Sequence, residues 1–220
     1  IRFSARARAR VYATCAWRPK CGPDSIYIDG MEARPRVRTS PTETPAVPGI
    51  AAIRQARRAI DELGLRGQIS LVYAGGIRNG GDVAKALALG ADAIAIGHSV
   101  MMALNCNKEI PESDFEAEIG VPAGRCYHCH TGRCPVGVAT QDPELRKRLD
   151  PDEAAERVYN FLHTLTLEAQ MLARACGKTN VHSLEPEDLA ALTMEASAMA
   201  QVPLAGTDMT VGVANYHKLG

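Results

Sequence analysis

Short apolar runs that end in glycine alternate along this chain with stretches whose apolar residues recur every three or four positions. "DSIYIDG" (24–30) alternates β-forming residues with polar ones and closes on Asp-Gly, which predicts a short buried strand and its turn. "IAAIRQARRAIDELG" (50–64) places Ile50, Ile53, Ala56, Ile60 and Leu63 on one helical face, with Gly64 as the stop. "QISLVYAGGI" (68–77) is an apolar strand running into two glycines. A short helix over 80–90 opens near Asp82 and closes at Gly90, and "ADAIAIG" (91–97) is another buried strand ending in glycine. Strand, helix and strand at so tight a spacing predict a parallel unit with a right-handed crossover. The order β-α-β-α-β fits part of a (β/α)8 barrel or a doubly wound sheet.

Further along, "DPDEAAERVYNFLHTLTLEAQMLARACG" (150–177) reads as one long helix. Asp150 is its N-cap, Pro151 suits the first helical position, Glu153 completes a capping box and Gly177 ends it. A further helix is expected from Ser183, followed by a frayed end. Residues 1–20 and 33–47 stand apart. They are rich in Arg, Pro and Ala without a period of 2 or 3.6, read as basic loops, and resemble GC-rich coding sequence read out of frame.

Charge changes the picture by exclusion. Lys+Arg 25 against Asp+Glu 25 creates no global field that draws nucleic acid or an anionic membrane. The start, "IRFSARARAR", has no apolar run of signal-peptide length, and its first residue is not Met, as expected of a fragment. The most apolar stretch, "ADAIAIGHSVMMAL", contains Asp92 and His98 and falls short of about 20 uninterrupted apolar residues. These readings predict a soluble, cytoplasmic protein.

Two motifs carry chemistry. "AGGIRNGGD" stands between a strand and a helix, where Gly75 and Gly76 allow close backbone approach and the next helix start favours a phosphate. Gly97 and His98, after the next strand, form a second such turn. The same glycines could equally serve only as tight turns, and the pattern is not GxGxxG, which disfavours a Rossmann dinucleotide site. The other motif is "GRCYHCHTGRCPVGVAT" (124–140). Four of the seven cysteines, Cys106, Cys126, Cys129 and Cys134, fall within about thirty residues, which in a reducing compartment points to metal more than to disulfides. Locally the pattern allows a zinc site with His128 or His130, a haem attachment site at Cys126-x-x-Cys129-His130, or an iron–sulfur cluster. Cys15, Cys21 and Cys176 read as ordinary thiols, and His163 and His182 have no partner visible in the sequence.

"LVYAGGIRNGGDVAKALALGADAIAIGHS" and "CHTGRCPVGVATQDPELRKRLD" together resemble the FMN-binding synthase domain of glutamate synthase. They are most similar to stand-alone glutamate synthase-like proteins, which include a subunit of N-methylglutamate synthase. The resemblance covers roughly residues 21–32 and 48–205. It implies the C-terminal portion, about strands 6–8, of a (β/α)8 barrel with an FMN site, then a Cys-rich iron–sulfur loop and C-terminal helices. The segments it implies are an aberrant N-terminus (1–20), a partial FMN-binding barrel (21–105), a cluster segment (106–140) and a helical segment (141–220).

Carried over residue by residue, Gly75, Gly76, Ile77 and Arg78 match the family's FMN phosphate loop, and Gly97 and His98 the second one. Cys106, Cys129 and Cys134 take the places of the 3Fe–4S ligands, and Cys126 adds a thiolate that would allow 4Fe–4S. No catalytic residue is assigned. The implied reaction is reductive amination of 2-oxoglutarate to L-glutamate, with ammonia from glutamine. The implied partners are a glutamine amidotransferase and an NAD(P)H- or ferredoxin-linked electron donor, with methylamine replacing ammonia in the N-methylglutamate branch. The sequence departs from the family by a long spacer after Cys106, by "GMEARPRVRTSPTETPAVPGI" in place of a glycine-rich loop, and by lacking counterparts of strands 1–5. A reading of another class is therefore an inactive truncated product or a small iron–sulfur electron-transfer module.

Overall fold

The computed structural model describes residues 2–6, 22–30, 47–109, 129 and 131–212. Strands β1 (Arg2–Arg6), β2 (Ser25–Asp29), β3 (Ser70–Ala74) and β4 (Ala93–Ala95) form one four-stranded sheet in the order β1-β2-β3-β4. Every neighbouring pair is parallel, with Ile26 opposite Leu71 and Tyr73 opposite Ile94. β1 falls where composition predicted no element, and the rest of that basic segment lies outside the described residues.

The sheet positions its core by alternation. Ile26, Ile28, Leu71 and Tyr73 are buried, whereas Tyr27 and Val72 on the other face are only half-buried. α1 (Gly49–Glu62) covers the first face with Ala52, Ile53, Ala56, Ala59 and Ile60, all essentially inaccessible. Its alanines let the helix approach the strands closely, and each buried isoleucine contributes about 2–3 kcal/mol. Leu63, expected on that face, is the C-cap residue and is exposed. β4 was expected to be buried. It ends the sheet among the described residues, so Ala93 is exposed and Ile94 and Ala95 are half-buried.

The described residues fall into two compact units, and α5 (Pro151–Ala175) passes from one to the other between Thr164 and Leu165. In the unit that holds the sheet, α2 (Gly80–Ala88) is capped by Asn79, whose Oδ1 accepts from Asp82 N at 3.0 Å. Ala84 and Ala88 of α2 share a small core with Ala173 and Leu184. Gly80 lies directly against α5: a Cβ there would stand 2.3 Å from Glu168 Cβ and 2.6 Å from Leu165 O. The helix expected from Ser183 is replaced by two 3-10 turns, Val181–Ser183 and Pro186–Asp188, and by α6 (Met194–Ala200). Asp188 accepts from Glu185 N at 2.8 Å, a turn made of side-chain bonds that interrupts the helical ladder.

The opposite end of β3 is locked by a buried cation. Arg57 donates through Nε to Gly90 O (2.8 Å) and through Nη2 to Asp92 Oδ2 (2.5 Å), while the same oxygen accepts from Leu71 N (2.7 Å). One guanidinium thus joins α1 to the loop before β4. Arg57→Met is expected to destabilise the chain by about 2–3 kcal/mol, the range for hydrogen bonds to charged groups. Asp92 is half exposed, so water limits the loss below that of a fully buried pair. An unchanged urea midpoint for this variant would show that the network contributes nothing.

The second unit contains α3 (His98–Ala103), α4 (Pro143–Arg146) and the first half of α5. Asp142 caps α4 by accepting from Glu144 N (2.8 Å) and Leu145 N (3.1 Å). Asp150 caps α5 in the same way, accepting from Asp152 N (3.0 Å) and Glu153 N (3.1 Å), with Pro151 at the first position as the sequence predicts. No described helix is long and apolar enough to cross a membrane.

Candidate functional site: a glycine turn and a cysteine–proline turn

At the carboxyl end of β3 the chain turns through Gly75 (φ 143°) and Gly76 (φ 64°). A side chain is strained at either angle, most of all at Gly75, so the backbone itself favours glycine at both. The N–H groups of Gly75 and Gly76 donate to no other described residue. Exposed donors at the end of a parallel strand are the elements of an anion site. Ile77 is buried and anchors the turn, whereas Arg78 reaches out and pairs with Asp82 (3.3 Å).

The start of α2, expected to offer free N–H groups to a phosphate, is instead supplied with acceptors by the chain itself. Gly80 N donates to Glu168 Oε2 (2.7 Å), Asp82 N to Asn79 Oδ1, and Arg78 N to Asp82 Oδ2 (3.2 Å). Gly81 N, like the N–H groups of Gly75 and Gly76, has no acceptor among the described residues, so the helix start keeps one donor beside the glycine turn. Beside it opens a cavity of about 510 Å³, with apolar walls from Ile50, Ile53, Tyr73 and Leu89 and with Arg78, Asp82 and Lys85 around it. It lies on the helix-covered side of the sheet, because Tyr73 packs its hydroxyl against Gly49 of α1.

Gly97 and His98 belong to the second unit. Gly97 precedes α3 and its carbonyl accepts from Met101 N (3.1 Å), and His98 is exposed. The structure brings Gly75, Gly76, Ile77 and Arg78 into one turn and keeps Gly97 and His98 in a separate one.

The Cys-Pro motif is a built turn. Cys134, Pro135 and Val136 are buried, and Gly137 N closes back on Cys134 O (3.2 Å). Gly137 (φ 81°) lies so near α4 that a Cβ would stand 2.6 Å from Leu145 O. Arg148 donates to Pro135 O (3.0 Å), and Thr140 Oγ1 donates to Gly132 O while accepting from Asp142 N (3.1 Å). Arg148 and Thr140 are supports that sequence reasoning missed. The only signal was the Asp142-Pro143 helix start just after the motif.

Of the expected ligands, Cys134 is buried, Cys106 half-buried and Cys129 exposed, and none of the three forms a disulfide. Cys126, His128 and His130 lie outside the described residues. Among the described residues no three His, Cys, Asp or Glu side chains gather closely enough to hold a metal. The donor chemistry of the thiols suits an iron–sulfur cluster, and the structure describes three of the four, Cys106, Cys129 and Cys134. His163 finds a partner after all, stacking on Tyr159 with ring centroids 5.7 Å apart.

Fold and site together define an α/β protein with a parallel sheet and a glycine turn at a strand's carboxyl end. Comparison with known proteins refines this. The conserved region of glutamate synthase matches residues 3–111 and 115–179, passing through both Arg/Pro-rich stretches. The chain therefore belongs to the glutamate synthase family. It is 48% identical over 209 residues to a glutamate synthase large subunit-like protein of Rhizobium meliloti, covering 94% of this chain and 47% of that protein. It is 41% identical over 165 residues to the archaeal glutamate synthase [NADPH] of Methanocaldococcus jannaschii, covering 73% of this chain and 28% of that one. The chain thus spans about half the length of the first relative and less of the second. Among solved structures, a flavocytochrome b2 variant with benzoylformate superposes at a TM-score of 0.50 and 16% identity, covering 84% of this chain and 34% of that one. At that identity the likeness concerns the fold alone.

Proposed function

We propose that this chain is the C-terminal part of the flavin-binding barrel of a glutamate synthase-type oxidoreductase acting in the cytoplasm. The observation that carries the reading is the Gly75–Gly76 turn, whose two N–H groups have no acceptor among the described residues and end a parallel strand in a chain of this family. These groups hold the FMN phosphate by charge-assisted hydrogen bonds, with the Arg78 guanidinium adding positive charge beside them. Gly97 and His98 form the second phosphate loop. Bound FMN supplies the hydride chemistry of the reaction.

The substrate is 2-oxoglutarate. Its keto oxygen leaves as water, a C–N bond forms with ammonia, and the imine carbon gains a hydride while its nitrogen gains a proton, giving L-glutamate. The ammonia comes from glutamine through an amidotransferase partner. The electrons come from NADPH, as the name of the archaeal relative suggests. Cys106, Cys126, Cys129 and Cys134 are the ligands proposed for an iron–sulfur cluster, on the support of the family resemblance and of the buried turn at Cys134.

The direct test is flavin titration of the 220-residue chain. The chain carries the donors proposed for the phosphate, but the four described strands give the isoalloxazine ring only part of a barrel wall. FMN fluorescence is expected to quench saturably with a dissociation constant on the order of 100 μM, too weak to survive gel filtration. Absence of saturable quenching up to millimolar FMN sinks the reading.

A further inference from the structure

We propose that Glu168 is a positioning residue for the anion-binding turn, acting through Gly80; the inference rests on the flavin phosphate reading above. The turn is pinned at both ends. On the strand side Gly30 N donates to Ala74 O (2.8 Å), tying the last residue of β3 to the strand beside it. On the helix side Gly80 N donates to Glu168 Oε2 (2.7 Å), a bond between residues 88 apart in sequence. Between these pins lie only Gly75 to Asn79, so the direction of the two glycine N–H groups depends on both.

The contact is backbone-close. Gly80 has no room for a Cβ against Glu168, Ala169 N and Leu165 O, and the buried Ala169 and Ala173 continue the same seam. A carboxylate at that point also opposes the positive end of α2. Gly80 N is thereby taken from a ligand anion, for which the N–H groups of Gly75, Gly76 and Gly81 are left. Glu168 touches no substrate in this account. It determines where the phosphate is held and fixes the backbone that holds it.

The test compares FMN with riboflavin, which carries the same ring without the phosphate, on the full chain by fluorescence titration. Wild type is expected to bind FMN more tightly than riboflavin. Glu168→Ala should weaken FMN about tenfold and leave riboflavin unchanged, so that the preference collapses, because the loss of one charged acceptor frees the turn. Glu168→Gln retains an acceptor oxygen and should keep the preference within about threefold, since a neutral hydrogen bond replaces a charged one. A wild type that binds FMN no better than riboflavin refutes the phosphate reading itself. A wild-type preference that Glu168→Ala preserves overturns the positioning role alone, as does an equal loss of both ligands. If Glu168→Ala does not fold, Glu168→Asp, too short to reach Gly80, makes the same comparison. Failure of both to fold would assign Glu168 to stability and remove the proposal.

Discussion

Cys134→Ser is expected to abolish the visible chromophore of anaerobically purified protein, together with its acid-labile sulfide. Among the described thiols, Cys134 is the one most completely built into the structure. It is 4% exposed, closed by the Gly137 N–H bond and braced through Arg148 on the Pro135 carbonyl. A serine fits that turn with little strain, so the fold should persist and the change should report on ligation alone. Serine oxygen is a poor substitute for thiolate in a soft-ligand site. Cys129→Ser should act in the same direction, whereas Cys176→Ser, exposed beyond the end of α5, should leave iron and sulfide unchanged. Cys126→Ser separates the two cluster types: unchanged content and spectrum would exclude a fourth ligand there. Stoichiometric zinc without sulfide in the wild-type protein would reject the cluster outright.

Gly75→Ala is expected to lower FMN affinity by about 100-fold while leaving the far-ultraviolet circular dichroism unchanged. The φ of 143° at Gly75 belongs to a region essentially closed to side chains, and forcing alanine into it costs about 1–3 kcal/mol. The turn relieves that strain by rotating, which takes the Gly75 and Gly76 N–H groups away from a common ligand oxygen. Since the turn begins after β3 and no described hydrogen bond depends on those two donors, the sheet should not feel the change. Gly76→Ala, at φ 64°, enters a region open at lower cost and should lose about tenfold. Undiminished affinity in both variants would mean that the phosphate is held elsewhere.

Several features of the fold were legible because they depend on neighbours close in sequence. The cap of α5 at Asp150 needs only the next three residues. The paired glycines after β3 announce a turn through positive φ, a conformation that costs most other residues strain. The helix from Ser183 was misread because Glu185 and Asp188 satisfy each other locally, and that competition between a side-chain turn and a helical ladder is nearly balanced in sequence. β4 was misread as buried because an apolar run reads alike at the centre and at the edge of a sheet.

The sequence by itself determined the alternation of strands and helices, the strained glycines and the set of thiols, since each follows from local sterics or from residue chemistry. Only the tertiary structure decided what those parts do together. It set the strands in sequential parallel order, brought Glu168 across 88 residues to Gly80, and fastened the Cys-Pro turn with Arg148. It also gave two N–H groups at the start of α2, those of Gly80 and Asp82, to side chains of the protein itself. A free N–H is a property of the whole fold, because any distant carboxylate that packing brings within 3 Å can claim it.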